Sequence, residues 1–125
     1  MTLYELAVHL ADIPRTCDTL LTNELDFSTA EGSPVSINSL EDLLSTLDKN
    51  VANAMSVLEN TNDKDFIDTW TLRDGTEIFF ALPRIEVIQI WSFNHWIHHR
   101  GQLTVYYRLL NIPVPGTYGP SADEK

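Results

Sequence analysis

Asn94-His95-Trp96-Ile97-His98-His99-Arg100-Gly101-Gln102-Leu103 holds three of the chain's four histidines, within a segment that otherwise reads as one long helix. Side chains four apart share a helix face, so His95 and His99 point at one spot. A helix offers two imidazoles to one metal ion in this way, as in HExxH sites. His98 lies about 100° around the helix from His99, outside the same coordination sphere. It is therefore assigned a supporting or exposed position. The helix is predicted over about 83–110: Pro83 suits its first position, where a missing N–H costs nothing, and Asn111 and Pro113 stop it. Its inward face reads Ile88, Ser92, His95, His99, Gln102 and Tyr106, with Ile85, Leu103 and Leu110 alongside. The middle of that face is polar where a core helix is ordinarily apolar.

Two further helices precede this one. The first is predicted over about 2–22, started by a Thr2/Glu5 capping box and carrying Leu3, Leu6, Leu10, Ile13, Cys17 and Leu20/Leu21 at helical spacing. The fourth histidine, His9, lies on that apolar stripe and faces inward. Pro14 should kink the helix just beyond it, freeing the Leu10 carbonyl from its usual bond. Periodicity stops from Asp26 to Asn38, and Gly32-Ser33-Pro34 reads as a loop. The second helix, about 38–60, carries Leu40, Leu43, Leu44, Leu47, Val51, Ala54, Met55 and Leu58. Between it and the last helix, 68–81 reads as a β-hairpin about an Asp74-Gly75 type I′ turn, with Trp70 across from Phe79. Residues 111–125 are an irregular tail. The expected fold is mainly all-α, one helical-bundle domain over 1–125 with a small hairpin inserted before the last helix.

A chain of 125 residues suffices for one modest core. The formal net charge of −10, with no compensating basic run, argues against nucleic acid or an anionic membrane surface as a partner. The lone Cys17 forms no internal disulfide and fits a reducing cytoplasm. No charged n-region precedes an apolar run, and no apolar stretch is long enough to span a bilayer.

By itself His9 reads as a hydrogen-bonded core histidine. Three inward histidines on two helices, beside Gln102 and Tyr106, are costly if they coordinate nothing. Three protein ligands leave coordination positions open, the pattern of a catalytic metal. A wet polar network buried between helices is the alternative, and the residue pattern sets metal binding ahead of it. Cys17 reads as core filler, since no Cys/His motif supports a nucleophile. There is no Gly-rich phosphate loop and no nucleophile elbow.

His95-x-x-x-His99-Arg100-Gly101-Gln102-Leu103, followed by Tyr107-Arg108-Leu109-Leu110 and Pro113, resembles the last helix of the DinB/YfiT-like metalloprotein superfamily. The opening Leu3-Tyr4-Glu5-Leu6-Ala7-Val8-His9-Leu10 resembles that family's earlier histidine-bearing helix, and the tail Tyr118–Glu124 resembles small bacterial members. The resemblance implies an up-down helical bundle of the DinB/YfiT type. It also implies one divalent metal on His9, His95 and His99. Three imidazoles suit zinc, nickel or iron, and Gln102, Tyr106 and His98 are the pocket candidates beside them. Characterised relatives are metal-dependent transferases or isomerases that use a low-molecular-weight thiol. The expected activity is accordingly thiol transfer to, or isomerisation of, a small electrophile; the alternative is a non-catalytic, metal-stabilised binding or assembly module with a vestigial site. The family places its first histidine on the second of four helices, whereas His9 lies on the first helix of this sequence. The expectation is a truncated product or a homodimer that restores the bundle.

Overall fold

The computed structural model describes residues 1–30 and 36–124. The expected Gly32-Ser33-Pro34 loop lies outside the described residues. Helix α1, Leu3–Asp12, starts on the predicted capping box: Thr2 Oγ1 accepts from the Glu5 N–H at 3.2 Å, and Glu5 Oε2 accepts from the Thr2 N–H at 2.7 Å. It does not run on to residue 22. After Asp12 the chain tightens into a 3₁₀ run, Ile13–Leu21, with Pro14 at its start. Pro14 has no N–H for the Leu10 carbonyl, which instead accepts the Trp96 indole N–H at 3.0 Å. The next carbonyl, of Ala11, accepts from the Asn50 amide at 2.8 Å. Both partners come from other helices, so the break in α1 becomes the place where those helices are tied to it. Trp96→Phe keeps the ring but leaves that carbonyl unpaired, and should lower stability by about 1–3 kcal/mol in a denaturant titration.

Helix α2, Leu40–Asn60, is capped by Ser39, whose Oγ accepts from the Asp42 N–H at 3.0 Å. Ala54 and Val57 are its buried residues, whereas Leu40, Leu44 and Met55 of the predicted stripe are exposed. That stripe is wider than the face covered by α1 and the 3₁₀ run, and its outer edge is exposed. Ala54 and Val57 join Cys17, Leu20 and Ile88 in one core cluster, with Leu58 and Phe66 against it.

The predicted hairpin is present, as β2 (Thr69–Asp74) and β3 (Glu77–Pro83), but with a different register. Asp74 pairs with Glu77, so the two-residue turn is Gly75-Thr76, one residue later than expected. Gly75 takes φ 57° and Thr76 keeps a negative φ, the pattern of a II′ turn, in which glycine holds the first central position. The pairing then shifts between Leu72 and Arg73, leaving Phe79 as the extra residue of a bulge. Trp70 consequently sits opposite Leu82 rather than Phe79.

A third strand, β1 (Glu24–Asp26), pairs parallel to β2 and is too short for any periodicity to announce. Side chains pin it: Arg73 pairs with Glu24 at 2.7 Å and with Asp26 at 3.0 Å. The Asp26 carboxyl also accepts from the Ser28 hydroxyl and the Gly75 N–H. These bonds, the Ser28 hydroxyl foremost and the Arg73 charge least, hold it below the usual carboxylate range. The sheet packs a second cluster of Trp70, Leu72 and Val87, with Leu25, Phe80, Leu82 and Trp91 around it.

The long last helix is three segments. Pro83 ends β3 and caps α3, Arg84–Val87; a π-helical stretch follows over Ile88–Asn94, and then α4, His95–Leu109. Arg84 is buried and its guanidinium spans the Thr22 carbonyl, Asn23 Oδ1 and the Asp65 carbonyl, which fixes the helix start to β1 and its flanks. Ile88 and Ser92 face inward as expected, but Ile85, Gln102 and Leu110 are exposed. The π stretch changes the phase between the segments, so a single helical wheel cannot describe both ends. The tail beyond α4 is irregular, and its Tyr118 hydroxyl accepts from Arg100 at 3.0 Å. The chain is thus mostly helical with a small three-stranded sheet, and α1 packs against both α2 and α4. Among the described residues no helix is long and apolar enough to cross a membrane.

Candidate metal centre

The contact of α1 with α4 brings His9 to the predicted pair. His9 Nε2 lies 3.1 Å from His95 Nε2, which lies 2.9 Å from His99 Nε2. One ring nitrogen from each residue falls within 4.8 Å of the other two, a group that could hold a metal ion. His99 is buried, and His9 and His95 are half-buried.

The protons on these rings are fixed by what surrounds them. His95 Nδ1 meets the Trp91 carbonyl at 3.2 Å, and His99 Nδ1 meets Gln102 Oε1 at 2.7 Å. Both oxygens can only accept, so both rings carry their proton on Nδ1 and present a bare lone pair at Nε2. The 2.9 Å approach of His95 Nε2 to His99 Nε2 is then no hydrogen bond. Two acceptors face each other, an arrangement that a cation relieves.

The end of the π stretch has a part in this. There the backbone N–H of His95 turns to the Ser92 carbonyl, three residues back, rather than to that of Trp91, which an α-helix would use. The Trp91 carbonyl accepts from the His95 ring, with the Thr16 hydroxyl a second donor at 3.5 Å. Burial, the largest cause, lowers the pKa of His9, with the neighbouring His99 and His95 rings adding to it. Burial likewise lowers that of His95, against a smaller opposite effect of the Trp91 carbonyl. Both shifts favour the neutral imidazole, the form that binds metal.

The donor set fits a borderline divalent ion. Zn–N bonds of about 2.0–2.1 Å correspond to a nitrogen–nitrogen edge of about 3.4 Å in a tetrahedron, a few tenths beyond the 3.1 Å and 2.9 Å of the His9–His95 and His95–His99 edges. Three imidazoles bring no charge of their own and leave at least one coordination position open.

The other candidates divide. Gln102 bridges the site, since its Nε2 donates to His98 Nε2 at 3.0 Å while its oxygen holds His99. His98 is exposed and stays off the three-nitrogen cluster, as its angle on the helix requires. Gln102 and Tyr106 line a cavity of about 390 Å³ with Met1, Leu6, Val105 and Leu109. The Tyr106 hydroxyl donates to the Met1 carbonyl, so its proton is already committed. Cys17 is buried beside Ser92, and burial pushes its thiol pKa up, as expected for core filler. Sequence reasoning missed the Trp91 carbonyl and Trp96. A backbone oxygen leaves no trace in residue identity, whereas Trp96 was open to discovery as the donor the Pro14 break demands.

Comparison with known proteins bears on the same residues. The sequence matches the DinB family over residues 2–125. The chain belongs to the DinB family. This DinB-family chain is also similar to the uncharacterized protein YrdA of Bacillus subtilis (strain 168), being 46% identical over 35 residues. That stretch is 28% of this chain and spans 21% of YrdA. No solved structure matches this DinB-family sequence.

Proposed function

We propose that the chain binds one divalent metal ion through His9, His95 and His99 and works as a DinB-type thiol transferase or isomerase on a small electrophile. One observation carries the metal half: His95 and His99 aim two bare lone pairs at each other across 2.9 Å, their protons held by acceptors on the far side of each ring. Zinc, nickel and iron all suit imidazole, and availability selects among them. Such an ion supplies Lewis acidity that lowers the pKa of a thiol, so the thiolate forms near neutral pH. The chain's own part is to keep three neutral imidazoles in place and to shape the space beside them. Leu6, Val105 and Leu109 give the adjoining cavity an apolar wall, and its volume suits a small molecule.

A second reading keeps the metal and drops the chemistry: a metal-stabilised binding or assembly module. It is favoured by the lining of that cavity, whose one ionisable side chain, Tyr106, is tied to Met1. The homodimer belongs to both readings, as the means of covering an exposed apolar face. Its support is the apolar surface left bare by Leu44 and Met55 on α2 and by Phe93 and Ile97 on the last helical run. A monomer in light scattering at micromolar concentration would count against it.

Metal analysis of protein purified without chelator tests the common half, and about one ion per chain is expected. A panel of low-molecular-weight thiols against a generic electrophile separates the readings. Metal-dependent turnover supports the enzyme; stoichiometric metal with no turnover for any thiol supports the module.

A further inference from the structure

Outside the three ligands, the arrangement that asks most insistently for an explanation is the chain of contacts running from His99 out to solvent. Gln102 Oε1 accepts from His99 Nδ1–H at 2.7 Å, and Gln102 Nε2 faces His98 Nε2 at 3.0 Å. An amide has two ends of opposite character, so its orientation decides the tautomer of whatever it touches. With the oxygen toward His99, that ring must carry its proton on Nδ1 and turn a bare Nε2 to the cluster. Were the amide reversed, its NH₂ would demand a bare Nδ1 and drive the proton onto Nε2, where it would block coordination. His98 supplies the preference. Its Nε2, used as an acceptor, engages the NH₂ end and leaves the oxygen end for His99. The His98 and His99 rings also lie edge to face, 4.9 Å apart, which limits how far either turns.

We propose that Gln102 and His98 form a positioning pair: Gln102 holds His99 in its metal-binding tautomer, and His98 holds the Gln102 amide in the orientation that does so. The inference rests on the three-histidine reading of the site. It adds that metal affinity is set by two residues that do not touch the metal. His98 thereby acquires a role that its exposed position and its angle on α4 would not suggest. Metal-binding histidines depend in general on such partners at the second ring nitrogen, and losing one costs about 10–100-fold in affinity. The design is asymmetric. His95 takes its partner from the backbone, at the Trp91 carbonyl, which substitution cannot remove. The partner of His99 is a side chain, and so the affinity of the site is tunable there.

The test uses the full chain and Zn²⁺ alone, with two readouts. Competition titration gives the affinity, and long-range ¹H–¹⁵N NMR of the metal-free protein gives the His99 tautomer. Gln102→Leu removes the acceptor at similar size and should weaken Zn²⁺ binding about 10–100-fold while the Nδ1–H signature of His99 is lost. Gln102→Glu restores an acceptor and should bind within about threefold of wild type, or tighter, since a carboxylate is the other common partner of a ligating histidine. His98→Phe keeps a ring but no acceptor; it should weaken binding in the same direction and by less than Gln102→Leu. Thermal unfolding of each metal-free variant separates these effects from a loss of fold.

Gln102→Leu binding as tightly as wild type overturns the proposal, as does a wild-type His99 protonated at Nε2. His98→Phe binding as wild type overturns the part given to His98. If wild type itself takes up no Zn²⁺, the metal reading fails and the affinity claim with it. The NMR tautomer then still reports independently on whether Gln102 orients His99.

Discussion

Replacing His99 by alanine is expected to abolish stoichiometric metal binding. His99 is the buried member of the three and the one whose Nε2 closes on His95. Without it His9 and His95 remain, a two-nitrogen site that leaves half of a tetrahedral ion to water. The loss in affinity should exceed the about 10–100-fold that removal of a supporting partner costs. A second consequence is thermal. An ion present at about one hundred times its dissociation constant adds about 2.7 kcal/mol to the folded state, which for a chain of this size raises Tm by about 10 °C. The wild type should show that rise on addition of Zn²⁺ and lose it to chelator, while His99→Ala should show neither change. Differential scanning fluorimetry with and without Zn²⁺, beside metal analysis of both proteins, checks the expectation. An undiminished metal content in the variant overturns the assignment of His99.

Trp70→Ala should be the most damaging single change to the fold. Trp70 is 1% exposed and sits where the sheet meets the last helical run, among Leu72, Val87, Phe80, Leu82 and Trp91. Its ring centroid is 5.6 Å from that of Trp91 and 6.1 Å from that of Phe80. Its indole N–H donates to Thr22 Oγ1 at 3.1 Å, linking β2 to the end of the 3₁₀ run. Truncation removes a large buried surface, opens a cavity and breaks the bond to Thr22, at a combined cost of about 3–5 kcal/mol. A domain with about 5–15 kcal/mol of stability loses a large part of it. Denaturant unfolding should show a lowered midpoint at nearly unchanged slope, and a change below about 1 kcal/mol would contradict this account of the core.

What the sequence made legible, and what it hid, follows from the range of the interactions involved. The Thr2/Glu5 cap, the Ser39 cap, the Pro14 break and the two-residue turn near Gly75 are local, and local chemistry is written in adjacent residues. The His95/His99 pair was legible for the same reason, since four residues on one helix keep their relation wherever the helix goes. The meeting of His9 with that pair is long-range; residue patterns left it open, and the family resemblance supplied it. The hairpin register failed by one residue because Gly75 takes the first rather than the second central position of the turn, and the bulge at Phe79 then moved Trp70 from Phe79 to Leu82. Strand β1 was invisible because Arg73, at a sequence distance of 49 residues from Glu24, holds it in place. The π stretch was hidden for a different reason: a single helical period was read across the whole run, and the change of pitch shows only in residues such as Ile85 and Leu110 that fall off the predicted face. The exposed Leu44 and Met55 mark the limit of such reading, since a stripe of leucines tells what could be covered and not what covers it.

The break at Pro14 has a consequence for the order in which the molecule comes together. His9 and His95 are 86 residues apart, as are Leu10 and Trp96, so these two tertiary contacts join the same distant parts of the chain. Neither can form until a loop of about two thirds of the chain has closed, and contacts of that separation are slow to be made. The Trp96–Leu10 bond holds the loop shut at neighbouring positions, one on each helix, and so sets the spacing at which the imidazoles meet. An ion bound there would act as a topological cross-link. By the loop-entropy argument used for disulfides, a bridge of this span would remove about 4–5 kcal/mol of freedom from the unfolded chain. On this view the metal would close the ring that the tryptophan first draws together.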